Sequence, residues 1–263
     1  MCYNGDERER CAANARKARK MKILGSDYDG TFTCGGVTEV KLQAIAEWQA
    51  AGHKFGIVSG RGGSFLFELK EKHPSLSLDF FAACNGGCIL GSQGEVIFGE
   101  ECLSVSLVEL VESLFAFGCG GVYVHAEKTS VTLRADDPCF RDSIREWKSF
   151  SQVAVWLPDE HQVDALAKEI ARKYGAFLDA LKNGHSLDIV PKGVNKAKGL
   201  SRVAEYFGCE KESVIAVGDN TNDRDMIAAF HSYAMTSGKE EIIALADAIV
   251  EDITEIFAKE IAI

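Results

Sequence analysis

Apolar and polar positions follow two different periods along this chain, and the alternation between them outlines its architecture. Lys22 to Asp27 reads as a short buried strand that ends in a tight turn. Val40 to Ala50 then carries helical spacing, with Leu42, Ile45 and Ala46 on one face and Gly52 as the stop signal. Lys54 to Ser59 reads as a second strand, Phe65 to His73 as a helix closed by Pro74, and Phe80 to Cys84 as a third strand. Strand and helix alternating in this way predict a parallel sheet with right-handed crossovers.

The pattern changes after Asn85-Gly86. Cys88–Leu90 and Val96–Phe98 flank Gly91-Ser92-Gln93-Gly94, the signature of a β-hairpin. From about Glu101 to Asn183 the order becomes helix, two strands, helix, strand, helix, strand, with Val122–His125 and Val131–Leu133 as an antiparallel pair. The parallel pattern is expected to resume at Ser186–Val190. It continues through a helix over Ala197–Phe207, the apolar strand Val214-Ile215-Ala216-Val217, a helix from Asp223 to Phe230, and short strands near Tyr233–Met235 and Ala248–Val250. The expected fold is therefore α/β. A Rossmann-like parallel-sheet core spans residues 21–100 and 184–263, with a smaller α+β cap domain inserted over residues 101–183 and a polar extension at residues 1–20.

Composition narrows the setting. A chain of 263 residues with 46% hydrophobic and 26% charged residues has ample material for a core. The net charge of −10 argues against a nucleic-acid partner, because phosphate backbones reward clustered positive charge. A phosphorylated small molecule stays open, since one metal ion reverses the local sign. Nine cysteines without a CxxC pair point away from structural zinc and toward reduced thiols in a cytoplasmic protein. No apolar run approaches the ~20 residues of a membrane helix, and the first 20 residues lack the apolar segment of a signal peptide. They hold a basic cluster, Arg16, Lys17, Arg19 and Lys20, best read as solvated.

Chemistry gathers where the predicted strands end. Asp27 and Asp29 flank Tyr28, and in an extended strand their side chains would point the same way. Two like charges that close are costly without a cation or proton between them, and magnesium suits such hard oxygen donors. Gly30-Thr31 adds a turn with backbone N–H groups for an anion. Ser59-Gly60-Arg61 closes the second strand with a hydroxyl and glycine N–H groups that can receive phosphate oxygens. Lys196 sits in the first turn of a helix, where the macrodipole disfavours a cation, so it asks for an acidic or phosphate partner; Lys198 competes for that role. In Gly218-Asp219-Asn220-Thr221-Asn222-Asp223, Asp219 could complete a metal site and Asp223 could hold Lys196. Each fragment alone also fits an ordinary turn or helix cap. Their shared position at strand C-terminal ends is the stronger signal, because open α/β sheets bind ligands there.

DYDGT (27–31), SGR (59–61), GVNKAKGL (193–200) and GDNTND (218–223), in this order and with the long interval between Arg61 and Gly193, resemble the haloacid dehalogenase superfamily of phosphatases. The chain looks most like the Cof-type branch, whose large cap lies between the second and third motifs. The later Ala234-Met235-Thr236-Ser237-Gly238 segment is similar to the family's region after its fourth motif. The resemblance implies that Asp27 is a nucleophile forming an aspartyl-phosphate, and that Asp29 is the acid–base group. It implies that Ser59, Gly60 and Lys196 hold the phosphoryl group, that Asn222 contacts substrate or a metal-bound water, and that Asp223 orients Lys196. Mg2+ would be held by Asp27, the Asp29 carbonyl and Asp219. Tyr28 and Phe32 stand where the family often has aliphatic residues, and the cap is short for the branch. The expected activity is Mg2+-dependent hydrolysis of a small phosphorylated metabolite, a sugar phosphate first, by a monomer or homodimer. A sugar phosphomutase and a non-catalytic phosphometabolite-binding protein are the alternatives.

Overall fold

The structure, a computed structural model, describes residues 20–126 and 128–261. Two sheets organise it. The larger has eight strands in the order β13-β12-β11-β1-β2-β3-β4-β5. Its parallel part comprises β1 (Ile23–Ser26), β2 (Lys54–Val58), β3 (Phe80–Ala83), β11 (Val214–Gly218), β12 (His231–Met235) and β13 (Ala248–Val250). The expected hairpin, β4 (Cys88–Gly91) and β5 (Val96–Gly99), adds two antiparallel strands at one edge.

Strands β1, β3 and β11 are buried throughout, as a parallel sheet covered on both faces requires. Helices α1 (Glu39–Ala50), α2 (Phe65–Lys72) and, at the end of the chain, α9 (Thr254–Ile261) cover one face. There Ile45, Trp48, Leu66, Phe81 and Phe257 share a core. The opposite face packs against α6 (Lys196–Phe207), α7 (Arg224–Ala229) and α8 (Glu240–Ile243) through Leu200, Val203, Met226 and Ile242.

The inserted domain is a five-stranded antiparallel sheet in the order β7-β6-β8-β10-β9, made of β6 (Gly121–Ala126), β7 (Thr129–Arg134), β8 (Gln152–Trp156), β9 (Leu178–Asn183) and β10 (Ser186–Pro191). Helices α3 (Leu107–Phe117), α4 (Phe140–Ile144) and α5 (Glu160–Tyr174) back it. Val122, Val124, Val153, Val155, Leu187 and Ile189 face those helices in a separate core.

One expectation is corrected here. Ser186–Val190 does not return the chain to the parallel sheet; it pairs antiparallel with β8 and β9 inside the cap. Its run of apolar residues reads like a buried parallel strand. In space it alternates, with Leu187 and Ile189 turned to the cap core and Ser186 and Asp188 turned to a cavity. The turn carried a readable signal. Gly184, at φ +57°, and His185 alone separate Asn183 from its partner Ser186, the two-residue loop of a hairpin with glycine in its first position. The polar extension lies outside the described residues except for Lys20. Among the described residues, no helix is long and apolar enough to cross a membrane.

Candidate active site

Strands β1, β2, β3 and β11 run parallel, so the segments that follow them meet at one edge of the sheet. Asp27, Ser59, Asn85 and Asp219 stand just beyond those four strands. Asp27 directly follows β1, its backbone N–H donating to the Val217 carbonyl at 2.9 Å, and its carboxylate is almost fully buried.

Lys196 reaches this carboxylate from α6. Asn195 caps that helix, accepting from the Lys198 backbone N–H at 2.9 Å, and so fixes the first turn. Lys196 Nζ donates to Asp27 Oδ1 at 2.5 Å and to Asp223 Oδ1 at 2.6 Å. The ammonium sought by the helix-dipole argument thus has two carboxylate partners, and Lys198 is not the residue at the site. Asp223 is committed on its other side as well, since Oδ2 accepts the backbone N–H groups of Asp219 and Asn220 at 3.0 and 2.9 Å.

Asp219 faces Asp27 across the turn, with Thr31 Oγ1 donating to Asp219 Oδ1 at 2.6 Å. Gly30 makes this approach feasible. Its φ is +84°, and a Cβ there would lie 2.5 Å from Asp219 Oδ2. Oxygens of Asp27, Asp219 and Asp223 come within 4.8 Å of one another. With Asp223 occupied by Lys196 and two backbone donors, Asp27 and Asp219 are the carboxylates left for a cation.

Charge in this floor is unbalanced. Burial pushes the Asp27 carboxyl well above its usual range; Lys196 opposes the rise, and Asp223 and Asp219 add to it. Burial and Asp223 likewise raise Asp219, against the hydrogen bond from Thr31. Burial alone would lower the Lys196 ammonium, but Asp223 and Asp27 outweigh it and hold it above the ordinary lysine value. Three carboxylates around one ammonium form an all-oxygen site with surplus negative charge, the donor chemistry a magnesium ion prefers.

Asp29 does not sit beside Asp27 as period-two spacing suggests. The extended segment ends at Ser26, and the backbone turns at Asp29 (φ −80°, ψ 121°) and Gly30. The Asp29 side chain therefore faces outward, where Arg61 grips it with Nε to Oδ2 and Nη2 to Oδ1, both 2.8 Å. The guanidinium lies over the Phe65 ring at 4.3 Å and the Tyr28 ring at 5.4 Å. Ser59 is buried, and its Oγ accepts the Arg61 backbone N–H at 3.2 Å.

Above the floor lies a cavity of about 550 Å³ that Asp27, Asp29, Ser59, Gly60, Arg61 and Asn222 line from below. The cap sheet forms its roof with residues that the sequence did not single out: Tyr123, His125, Gln152, Ala154, Ser186 and Asp188. Strand alternation puts these side chains opposite the valines of the cap core, a signal that could be read only once β6, β8 and β10 were aligned. Burial lowers the His125 imidazole to about 4, so it is neutral at pH 7. Cap and floor are joined by side chains. Gln152 Nε2 donates to the Gly60 carbonyl at 2.7 Å, and Asn85 Nδ2 donates to Asp188 Oδ2 at 2.8 Å and to Gln152 Oε1 at 3.0 Å.

Known proteins share this fold. The haloacid dehalogenase-like hydrolase family matches residues 24–256. The chain is 24% identical over 248 residues to the 5-amino-6-(5-phospho-D-ribitylamino)uracil phosphatase of Escherichia coli (strain K12), covering 86% of this chain and 89% of that one. It is 25% identical over 234 residues to a phosphoglycolate phosphatase of Halorubrum lacusprofundi, covering 87% and 90%. A crystal structure of a haloacid dehalogenase-like hydrolase from Bacteroides thetaiotaomicron superposes with a TM-score of 0.74 at 21% identity, over 92% of this chain and 100% of the other. With the family match spanning both sheets and the strand-end motifs converging below an inserted cap, the chain belongs to the haloacid dehalogenase-like hydrolases as a Cof-type phosphatase.

Proposed function

We propose that this protein is a Mg2+-dependent phosphatase that hydrolyses a small phosphorylated metabolite, a sugar or polyol phosphate, through an aspartyl-phosphate on Asp27. The observation that carries the reading is the Asp27 carboxylate, buried beneath the cavity between Lys196 and Asp219. A carboxylate so placed can attack phosphorus from below while the leaving group extends toward the cap.

Asp27 forms the new P–O bond as the ester P–O bond breaks, and Asp29, once it has left Arg61 and taken a proton from solvent, gives that proton to the departing alcohol oxygen. Asp29 then takes a proton from the water that attacks the phosphoenzyme, which frees phosphate and restores Asp27. To do either, Asp29 must turn away from Arg61 toward the leaving oxygen. Ser59 Oγ, the Gly60 N–H and Lys196 Nζ hold phosphoryl oxygens as charge spreads over them, and Asp223 keeps Lys196 aimed. Asn222 extends these polar contacts at the rim. Asp27, Asp219 and the Asp29 carbonyl would hold Mg2+, which supplies positive charge to the phosphoryl oxygens and relieves the carboxylate surplus. The cap excludes bulk water from the phosphoenzyme.

Hydrolysis of p-nitrophenyl phosphate with Mg2+ and with chelator tests this reading, with Asp27→Asn as the control. Turnover should require the metal, and Asp27→Asn should lose at least about 10³-fold in kcat. Metal-independent turnover, or full activity in Asp27→Asn, defeats it.

A further inference from the structure

The cavity above the phosphate floor has an uneven charge. Its lining holds the carboxylates of Asp29, Glu68 and Asp188 away from the nucleophile, against one guanidinium, Arg61. That guanidinium pairs with Asp29 at rest; when Asp29 turns to the leaving oxygen and frees it, Glu68 and Asp188 still outnumber it. Among the described residues no lysine lines the cavity, and burial keeps His125 neutral. The rest of the roof is hydroxyl, amide and a small apolar centre. Along the sheet Tyr123 pairs with Ala154 and Ala154 with Asp188, so the shortest side chain of the row lies between a phenol and a carboxylate. Ala154 leaves room there for a leaving group, and Tyr123 and Asp188 bound that room.

Resting on the phosphatase reading, we infer that the cavity selects an uncharged, hydroxyl-bearing leaving group and rejects a carboxylated one, with Asp188 as the selecting residue. Asp188 is buried in the roof, fixed by Asn85 Nδ2 at 2.8 Å and anchored in β10 between β8 and β9. A fixed carboxylate accepts hydrogen bonds from sugar hydroxyls, and such charge-assisted bonds are about twice as strong as neutral ones. The same carboxylate, buried and hydrogen-bonded to the Asn85 amide, repels a carboxylate on the substrate. Ser186, two residues before Asp188 on the same strand face, adds a hydroxyl that can donate or accept.

Matched pairs of substrates test this directly. Glucose 6-phosphate and 6-phosphogluconate differ at C1, aldehyde or hemiacetal against carboxylate, as glycerol 3-phosphate and 3-phosphoglycerate differ in one carboxylate. With Mg2+, kcat/KM should favour the uncharged member of each pair that is turned over by about tenfold or more. Asp188→Asn should shrink that ratio at least about fivefold, chiefly through KM, while Asp188→Glu should retain most of it. A purely structural Asp188 would scale both members alike and leave the ratio fixed, which overturns the assignment. Equal or better hydrolysis of the carboxylated member by the unaltered protein overturns it without any variant. Hydrolysis of p-nitrophenyl phosphate with turnover of none of the four overturns the leaving-group assignment alone. No turnover of any ester, p-nitrophenyl phosphate included, overturns the phosphatase reading and this inference with it.

Discussion

Lys196 shows how a single residue can be costly in its local position and satisfied by its tertiary partners. It stands in the first turn of α6, against the helix dipole, and is 1% exposed. Both penalties are offset by contacts of 2.5 and 2.6 Å to Asp27 and Asp223. Replacing it removes the one ammonium from a floor of three carboxylates. On the proposed mechanism Lys196→Met should lower kcat by about 10²–10³, because the charge proposed to face the phosphoryl group is lost. In chelator it should also cost about 3–5 kcal/mol of stability, since buried carboxylates lose their partner. Urea unfolding in EDTA checks the second figure. An unchanged midpoint would mean that the carboxylates are protonated or solvated without Lys196. The unfavourable position of this lysine was visible in the sequence, which is why it could be singled out. The outward turn of Asp29 was not, because it depends on the left-handed conformation at Gly30 and on Arg61, which lies 32 positions away in the chain.

At the scale of elements, α6 must lie close enough to the sheet for Lys196 to reach Asp27, and two glycines allow it. Gly86, at φ +91°, follows Asn85 in the loop after β3, and a Cβ on Gly199 would lie 2.5 Å from the Gly86 Cα. That is backbone against backbone, so the helix would have to move outward. Gly199→Ala should therefore destabilise by more than about 2 kcal/mol, although alanine is the better helix former by about 1 kcal/mol. It should also depress kcat, because α6 carries Lys196. A stabilised variant with full activity would show that the contact is relaxed. Helices such as α6 and strands such as β11 were legible because their apolar spacing is strong and their end signals are clear: Gly208 after α6, Gly218 closing β11. Strand β10 was assigned to the wrong sheet for a physical reason. Leu187, Ile189 and Val190 give it the apolar density of a parallel strand, and Asp188 interrupts that run without revealing that it faces a cavity. The roof residues followed the same fate. Strand pairing decides which face of β6 and β8 is polar and enclosed, and that pairing joins strands separated by β7 and α4, which local spacing does not report.

For the whole molecule, the two sheets meet through buried polar groups and not through a shared apolar core. Asn85 binds Asp188 and Gln152, and Gln152 binds the Gly60 carbonyl, so the cap rests on the segment proposed to hold phosphate. This contact has a signature in pH. Burial raises the Asp188 carboxyl from 3.8 to about 6, a rise that the Asn85 hydrogen bond and Lys196 only partly oppose. A carboxyl whose pKa is higher in the folded protein binds its proton more tightly there than in the unfolded chain. Its contribution to stability is therefore full below about pH 4 and is lost as pH rises through about 6. At ~1.4 kcal/mol per pH unit the loss amounts to about 3 kcal/mol. Other carboxylates with lowered values, such as Asp252 and Glu255, work in the opposite sense, so the effect must be isolated by difference. Subtracting the stability of D188N from that of the unaltered protein, by urea unfolding between pH 4.5 and 7.5, should give a curve that falls with pH and flattens above about 6.5. D188N keeps the shape of the side chain and an acceptor for Asn85, so it removes the titration with little change in packing. A flat difference across that range would mean that Asp188 is solvated at neutral pH, with the cap standing open over the site.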